Sequence, residues 1–313
     1  MKTGIFILGN GFDLDLGLKT KYVDFARSRF WEDLMKNNAH RFESSRLLGF
    51  LREKYAVENW IDIEAALLEY ALLKTQNGEV QHAEEDKIDF FLLCDALKEY
   101  LKDQQNSFEP TRNSVAKELL RRFPRLAKES ALYSFNYTLL GVLSLRVERV
   151  LGLGMREDAI HIHGSLRDGD ELILGIETPA DIREEYAFLY KTQNRQYGHT
   201  DILRDLNDKD EYIFFGHSLN GMDYTYFSSL FQRLTIRHQS PPRLTIITKS
   251  VEDENRFKIF LRKNHVSLQE LYSNSIPTFV LTDEIYKQNV EEMKKYEALL
   301  LRINEMSGHS IHL

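Results

Sequence analysis

Cysteine is almost absent from the sequence, which contains Cys94 alone among 313 residues. A single thiol cannot form an internal disulfide or a zinc site of four thiolates, and its scarcity is typical of a reducing compartment. A run of about 20 apolar residues, which a membrane-spanning helix needs, is also absent, because the longest uncharged stretch covers only residues 130–145. We therefore expect a cytoplasmic protein without a membrane partner.

Basic residues are in the minority, with 41 lysines and arginines against 48 aspartates and glutamates and a formal net charge of −7. Such a chain lacks the positive field that attracts nucleic acid backbones, so we do not expect nucleic acid as a partner. Hydrophobic residues make up 42% and charged residues 28% of the sequence, which is ordinary globular usage and excludes a disordered or fibrous chain.

Short apolar runs alternate with stretches of helical periodicity at the start and in the second half of the sequence. Strand followed by helix is typical of an open α/β sheet, and runs that are apolar throughout indicate strands covered on both faces. The fold class that we predict is α/β, with an open, mostly parallel sheet flanked by helices. The predicted strands cover residues 3–8, 131–135, 159–163, 171–174, 212–215, 244–247 and 278–281, and helical stretches cover residues 139–151, 182–206 and 222–238.

A different pattern occupies the region after the first strand. From about Tyr22 to Lys128, apolar residues recur at helical spacing, as in Leu93, Leu97 and Leu101, and strand-like runs are absent. This pattern predicts a large helical insertion. The predicted organisation is an α/β nucleotide-binding core at residues 1–20 and 129–283, the helical insertion at residues 21–128, and a C-terminal helix and tail at residues 284–313.

Small, polar or ionisable residues follow four of the predicted strands. Ligands of open α/β sheets bind beyond the carboxyl ends of the strands, so these residues indicate one common crevice. An asparagine there can hold a ribose hydroxyl or a water, although it can instead form a turn that caps the next helix. The four segments are Gly9-Asn10-Gly11-Phe12-Asp13, Asn136-Tyr137-Thr138, His163-Gly164-Ser165 and Gly216-His217-Ser218.

The first of these segments contains two glycines separated by one residue. Gly9 and Gly11 would let the backbone turn tightly and approach a pyrophosphate. The full dinucleotide fingerprint has a third glycine where this sequence has Leu14, and the acidic residue expected about 20 positions later has no strand to follow. Asp13 suits ribose hydroxyls better than phosphate. A plain strand-to-helix turn is therefore the alternative interpretation.

Two histidines lie on the strand predicted at residues 159–163. His163 stands at its end before Gly164, where a group that titrates near neutrality can act as a general base. His161 points to the same face of the strand, which would also permit a metal pair. Because the sequence offers no further cluster with metal-ligand spacing, we expect no metal and interpret His161 as a packed core histidine.

Two further segments carry polar residues that also have a structural explanation. The segment from Gly216 to Asp223 offers backbone amides and the Ser218 hydroxyl to a phosphate or a ribose, but Asn220 or Asp223 can instead cap a helix. Asp62 and Glu64 we interpret as acids of a first helical turn that interact with the helix dipole.

Taken together, these motifs resemble those of the AbiH family of bacteriophage abortive-infection proteins over nearly the whole chain. More distantly, their order is similar to that of the sirtuin-like NAD-binding fold, which is of the Rossmann type. In that fold a glycine-rich loop, an asparagine after a strand, a His-Gly pair and a Gly-x-Ser segment form the NAD crevice. The matching segments are residues 9–14, 20–25, 60–64, 134–138, 161–164 and 216–223.

The resemblance implies a role for each matching residue. Asn136 corresponds to the asparagine that orders the nicotinamide ribose and a water, and His163 corresponds to the base that acts on the ribose. The loops that contact the nucleotide correspond to Gly9, Gly11, Gly216 and Ser218.

The sequence also departs from the sirtuin pattern. The sirtuin asparagine is followed by an acidic residue that helps to hold the carboxamide of nicotinamide, whereas Tyr137 and Thr138 stand here, and a zinc module of four cysteines is missing. The resemblance therefore implies cleavage of the nicotinamide–ribose bond with water as the acceptor, rather than protein deacylation.

We hypothesise that the protein is an antiphage defence effector that binds NAD and hydrolyses its nicotinamide–ribose bond. A phage-derived trigger or partner protein and assembly into a homo-oligomer are compatible with this hypothesis. The alternatives are a nucleotide-binding sensor without turnover that acts through a protein partner, and a metal-dependent nuclease that uses Asp13, Asp15 and His163. The predicted catalytic residues are Asn136, His163 and Asp13, of which Asp13 would stabilise the positive charge that develops on the ribose. The predicted cofactor contacts are Gly9, Asn10, Gly11, Phe12, Gly164, Gly216, His217 and Ser218.

Overall fold

A computed structural model describes residues 3–39, 46–58, 62–110, 113–148, 159–177, 181–198, 201–207, 209–219 and 223–307. Six strands in this part of the chain form one parallel sheet in the order β3-β2-β1-β4-β5-β6. The predicted open, parallel α/β sheet flanked by helices is thus confirmed. The strands are β1 (Gly4–Leu8), β2 (Ala131–Ser134), β3 (Ile160–His161), β4 (Glu211–Phe215), β5 (Arg243–Thr248) and β6 (Ile276–Leu281).

Helices follow most of the strands, and a series of helices follows β1, as the periodicity predicts. The α-helices are α1 (Asn10–Leu16), α2 (Tyr22–Ala26), α3 (Arg29–Asn37), α4 (Leu47–Glu58), α5 (Ile63–Asn77), α6 (Ala83–Asn106), α7 (Val115–Leu120), α8 (Leu140–Glu148), α9 (Asp201–Asp205), α10 (Ser228–Leu234), α11 (Val251–Lys263), α12 (Leu268–Asn274), α13 (Thr282–Tyr286) and α14 (Val290–Glu305). Short 3₁₀ helices span Phe123–Arg125, Glu184–Leu189, Lys191–Gln193 and Asp223–Tyr226.

The central strands are covered on both faces. Every residue of β1 and β4 is buried, and after Gly4 and Glu211 these strands are hydrophobic without alternation, as expected for strands covered on both faces. On one face, Ile7 and Phe214 belong to a core that includes Phe231 of α10 and Phe257 of α11. Because Leu8 pairs with residues in both β2 and β4, these strands end at the same level and bring their following loops together.

The chain divides into two compact units. Unit 1 consists of Met1–Gly17, Glu109–Ile162 and His199–Leu313, and it contains all six strands. Unit 2 consists of Leu18–Phe108 and His163–Gly198, and its described residues include α2 to α6 and the 3₁₀ helices Glu184–Leu189 and Lys191–Gln193. Unit 2 thus takes in residues 163–198 as well as the helices after β1. The predicted boundaries of separate domains stay a prediction.

Helix α5 in unit 2 begins and ends as its sequence indicates. Asp62 accepts a hydrogen bond from the amide of Ala65 at 3.2 Å, and Gly78 ends the helix with a φ of 65°. Glu64 forms an ion pair with the buried Lys191 at 3.0 Å, which goes beyond the dipole role that we predicted for it. Of the segment 60–64, Trp60 and Ile61 lie outside the described residues.

The strand predicted at residues 171–174 is wrong. Its apolar residues are buried, but the amide of Ile173 donates to the carbonyl of His163 at 2.8 Å, and Leu172 forms an isolated antiparallel bridge with Gly164. This local pairing within unit 2 uses the backbone groups that a strand of the parallel sheet would need.

The helix predicted over residues 182–206 is also wrong in its extent. The described part of this stretch contains the two 3₁₀ helices and the short α9. The carbonyl of Leu189 accepts from the amide of Ile176 at 2.7 Å, and the amide of Lys191 donates to the carbonyl of Ile176 at 3.0 Å. These bonds to a segment outside the stretch replace the i to i−4 bonds of a continuous helix.

Candidate functional site

The loops after β1 and β4 meet at the carboxyl edge of the sheet in unit 1. The amide of Gly9 donates to the carbonyl of Phe215 at 2.9 Å, and the amide of Gly11 donates to the carbonyl of Gly216 at the same distance. The strand order reverses between β1 and β4, and ligands of open α/β sheets bind at such a point. The loops therefore lie where the sequence analysis expects the crevice.

The glycines of these two loops allow their backbones to touch. A Cβ atom on Gly11 would lie 2.5 Å from Cα of Gly216, and a Cβ atom on Gly9 would lie 2.6 Å from Cα of His217. Gly216 also has a φ of 62°, which a residue with a side chain rarely adopts. Close packing between loops thus accounts for these glycines, and their role as a phosphate loop stays a prediction.

A buried hydrogen-bond network joins the loop after β2 to α1. Asn136 donates from Nδ2 to Oδ1 of Asp13 at 2.8 Å and to the carbonyl oxygen of Gly9 at 3.1 Å. Thr138 donates from Oγ1 to Oδ2 of Asp13 at 2.8 Å. Asp13 and Thr138 are each 1% exposed and Asn136 is 6% exposed. We call Asp13, Asn136 and Thr138 the asparagine network.

Burial governs the ionisation of Asp13. It raises the pKa of this carboxyl from 3.8 to about 7, and the hydrogen bonds from Thr138 and Asn136 oppose the rise only in part. The group is therefore close to half ionised near neutral pH. Carboxyl groups with strongly shifted pKa values are common at functional sites, and Asp13 has this property.

Two histidines of unit 1 lie beside the network, and one of them bonds to it. Nδ1 of His161 lies 2.8 Å from the backbone carbonyl of Asn136, so Nδ1 carries a proton. His161 is buried, as we predicted for a core histidine, but it also contacts the candidate site. His217 accepts from the amide of Leu219 at its Nδ1, 3.1 Å away, and its Nε2 lies 3.6 Å from Oδ2 of Asp223.

The structure brings together part of the predicted site and assigns part of it to the other unit. Gly9, Gly11, Asp13, Asn136, Gly216 and His217 meet in unit 1, as the preceding distances show. His163 is buried but belongs to unit 2 with Gly164. Gly164 has a φ of 77°, and a Cβ atom there would lie 1.9 Å from the carbonyl oxygen of Glu171, so the turn itself requires glycine. The predicted roles of His163 and Gly164 toward NAD stay predictions.

Three predicted cofactor contacts have different surroundings. Asn10 and Ser218 are exposed. Phe12 is fully buried, and its ring centroid lies 5.2 Å from that of Phe215 and 6.1 Å from that of Phe123. Its side chain is therefore part of the core beneath the loop. Residues 220–222 of the last predicted segment lie outside the described residues.

Sequence reasoning missed Thr138, His161 and Asp223 as parts of the site. Thr138 stands two residues after Asn136 in one of the four polar segments, but the sequence assigns it no role of its own. His161 was assigned to the core because it precedes the end of its strand. The pairing of Asp223 with His217 was not predicted, although both lie in the segment that follows β4.

Nothing in the described residues indicates a metal site, since no group of three His, Cys, Asp or Glu side chains has suitable geometry. Asp15 has different partners from Asp13, because it accepts from the amide of Ala116 at 2.8 Å and from the hydroxyl of Tyr286 at 2.6 Å. Both carboxylates are thus engaged by protein donors, which disfavours the nuclease alternative, in which both would bind one metal.

Open depressions on unit 2 do not include the asparagine network. One, of about 380 Å³, is lined by Arg46, Lys74, Glu79 and six neighbours, and the other, of about 310 Å³, lies along α5. Within the first, Arg46 and Lys74 already form ion pairs with Glu79 at 3.0 and 2.6 Å. We favour the asparagine network as the site because it lies at the carboxyl edge of the sheet.

Comparison with known proteins gives one result. The family model described as "Bacteriophage abortive infection AbiH" matches residues 5–240, which is more than half of the chain. A search among curated proteins finds no significant match. No helix among the described residues is both long and apolar enough to cross a membrane.

Proposed function

Because the chain belongs to the AbiH family of bacteriophage abortive-infection proteins, we propose that it is a defence effector that binds NAD and hydrolyses the nicotinamide–ribose bond. The family supports the role in defence. The asparagine network supports the chemistry, which is our own proposal.

The orientation of Asn136 is the observation that carries this chemistry. Its carboxamide is held by Gly9 and Asp13 at the sheet edge where nucleotides bind in open α/β folds. A fixed, uncharged carboxamide suits a ribose hydroxyl or a water better than a phosphate. This favours a ligand that offers hydroxyl groups beside the reacting bond.

The protein has to supply little chemistry of its own for the hydrolysis of this bond. Nicotinamide is cationic while attached and leaves as a neutral amine with both electrons of the C–N bond, so positive charge develops at the ribose C1′. Water adds to C1′ and releases one proton, which gives nicotinamide and ADP-ribose. Positioning of water and ribose therefore supplies much of the rate. His163 stays our predicted base for the proton, and His161, which contacts the backbone of Asn136, is the second candidate.

Burial of the network has a consequence for activity. Asn136 and Asp13 are nearly inaccessible to solvent, so NAD has to displace neighbouring loops to reach them. An effector of abortive infection must remain inactive until a phage infects the cell. We therefore expect turnover to require a trigger from the infected cell.

The test is to incubate the purified protein with NAD, with and without lysate from phage-infected cells, and to follow nicotinamide and ADP-ribose by chromatography. We expect equal amounts of both products in the triggered sample, above those of the lysate alone. Asn136→Ala should lower the rate on the order of a hundredfold or more. Asn77→Ala, which removes an exposed carboxamide in unit 2, should leave the rate unchanged.

Two results would contradict the proposal. If Asn136→Ala consumes NAD at the parent rate, the site assignment is wrong. If calorimetry shows saturable NAD binding while NAD stays intact for hours in the triggered sample, the protein is a nucleotide-binding sensor instead.

A further inference from the structure

We propose that Asp13 is a positioning residue for Asn136, and that Asn136 presents its carbonyl oxygen Oδ1 to the ligand. The inference rests on the proposed function and specifies it at the level of atoms. It replaces the predicted role of Asp13, which was to stabilise developing positive charge, by a geometrical one. The ligand group that Oδ1 recognises is then a hydroxyl donor, either a ribose hydroxyl or the attacking water.

The partners of Asn136 decide which way its carboxamide faces. Both N–H groups of Nδ2 are used, one by the carbonyl oxygen of Gly9 at 3.1 Å and one by Oδ1 of Asp13 at 2.8 Å. Each of these two oxygens accepts hydrogen bonds. Turning the carboxamide by half a rotation would place its Oδ1 against both of them, with the loss of two buried hydrogen bonds. The orientation is thus fixed by the chemistry of the partners.

Asp13 is held as firmly as the group that it holds. Its second oxygen, Oδ2, accepts from Oγ1 of Thr138 at 2.8 Å, and both side chains are 1% exposed. A threonine hydroxyl can accept as well as donate a hydrogen bond. When Oδ2 carries a proton, it can donate to Thr138 while Oδ1 still faces Asn136. The positioning of Asn136 therefore does not need a negative charge on Asp13.

Oδ1 is the atom of the Asn136 side chain that is left to act on a ligand. No donor to Oδ1 is found in the part of the chain that the structure describes. A backbone contact fixes the other end of this residue, because Nδ1 of His161 lies 2.8 Å from its carbonyl oxygen. An oxygen held in this way accepts a hydrogen bond from a hydroxyl at little further cost in entropy.

Asparagine and leucine at position 13 separate a positioning role from a charge role. In Asp13→Asn, the new Oδ1 can accept from Asn136 and the new Nδ2 can donate to Thr138. Asp13→Leu has a similar volume and neither group. We expect Asp13→Asn to lower kcat for NAD only several-fold and Asp13→Leu to lower it on the order of a hundredfold, as misplacement of a reacting group does. Circular dichroism and thermal unfolding check that both variants are folded.

A second measurement needs no turnover. The side-chain amide signals of Asn136 in a ¹H–¹⁵N spectrum are identified by their loss in Asn136→Asp. We expect two shifted, exchange-protected protons in the parent and in Asp13→Asn, and loss of protection of one proton in Asp13→Leu. Thr138→Val, which removes the hydroxyl that orients Asp13, should weaken the same protection, whereas Thr138→Ser should keep it.

The two measurements test the positioning of Asn136 and the proposed reaction separately. If the Asn136 protons are equally protected in the parent and in a folded Asp13→Leu, the positioning inference is wrong, whether or not NAD is cleaved. An Asp13→Asn variant that loses as much kcat as Asp13→Leu would overturn it in favour of the charge role. If the NMR result is as expected but no triggered sample consumes NAD, the positioning of Asn136 stands and the proposed reaction is wrong.

Discussion

The buried Asp13 combines a raised pKa with a fixed orientation, a combination that an acid exposed to solvent rarely has. The first comes from burial, which removes water from the carboxyl and disfavours its charged form. The second comes from the donors Asn136 and Thr138. An aspartate in the first turn of a short helix would ordinarily be explained by the helix dipole alone. Its partners instead connect it to Asn136 and Thr138 in the candidate site.

The raised pKa of Asp13 predicts a dependence of stability on pH. Its pKa of about 7 in the folded protein lies above the ordinary value of 3.8, so the folded state holds this proton more tightly than the unfolded state. The free energy of unfolding should therefore fall as the pH rises between these two values, by about 4 kcal/mol from this group. Asp13→Asn has no charge to bury, so it should lack this fall.

Urea unfolding of the parent and of Asp13→Asn at several pH values measures the effect. We expect the difference between their free energies of unfolding to move in favour of the variant as the pH rises, by about 3 kcal/mol between about pH 5 and about pH 8. A difference that is the same at every pH would mean that Asp13 ionises in the folded protein as it does in the unfolded chain.

Contact between two loops is the feature of interest at the scale of elements. The loops after β1 and β4 join the two strands at which the sheet order reverses, and Gly11 and Gly216 let them touch. In a dinucleotide-binding loop, glycines make room for a pyrophosphate. In this protein, backbone fills the space beside Gly11. The same sequence pattern thus serves the packing of the protein itself.

Gly11→Ala should therefore destabilise the protein whether or not a ligand is present. The added Cβ would lie 2.5 Å from Cα of Gly216, and such overpacking costs roughly 1–3 kcal/mol. The matched control is Gly49→Ala in α4, where the added Cβ meets no atom within 4 Å. Since alanine favours a helix, this control should raise stability by about 0.5–1 kcal/mol. Thermal unfolding without NAD that is the same for Gly11→Ala and the parent would contradict the packing role.

The whole molecule combines an α/β unit with a mainly helical unit, and the sheet of the α/β unit extends beyond the region that the family model matches. The match covers residues 5–240, whereas β5 and β6 follow it and pair in parallel with the rest. Helix α14 lies against the sheet of unit 1, since Nε of Arg302 is 3.0 Å from both carboxylate oxygens of the buried Glu211 at the start of β4. The residues after position 240, less than a quarter of the chain, thus complete the sheet at whose edge the candidate site lies.

Defence in cells is the property that belongs to the whole molecule. We expect bacteria that produce the protein to release fewer phage than cells without it, and to lose NAD after infection. Asn136→Ala should remove both effects, and Asn77→Ala should remove neither. Phage yield and cellular NAD are measured in the same cultures. Protection with unchanged NAD would contradict NAD hydrolysis while leaving the role in defence intact.

Prediction from the sequence succeeded where short-range pattern decides structure. The apolar run at residues 3–8 and those near residues 212 and 244 became central strands, because both faces of each are buried. The strand predicted at residues 171–174 and the extent of the helix predicted at residues 182–206 were wrong for the same reason. Their backbone groups bond to His163 and Ile176, which lie outside the stretches, and pattern within a window does not contain such partners.

The site was predictable in part for the same reason. Asn136 was found because it follows a strand, and residues at strand ends meet in a parallel sheet. Thr138 and His161 were missed as site residues, since their importance depends on what they bond to. The glycines were found by their spacing, but the backbone that fills the space beside them was not.

The sequence alone determined an α/β protein with a sheet apolar on both faces, helices after its first strand, and polar residues at the strand ends. Those features follow from the periodicity of neighbouring residues, which acts over a few positions. The tertiary structure decided that the carboxylate which holds Asn136 is Asp13, 123 positions away along the chain. It also decided that Nδ1 of His161 lies against the backbone carbonyl of Asn136 in unit 1, because hydrogen bonds between distant segments form only when the sheet brings their strand ends together.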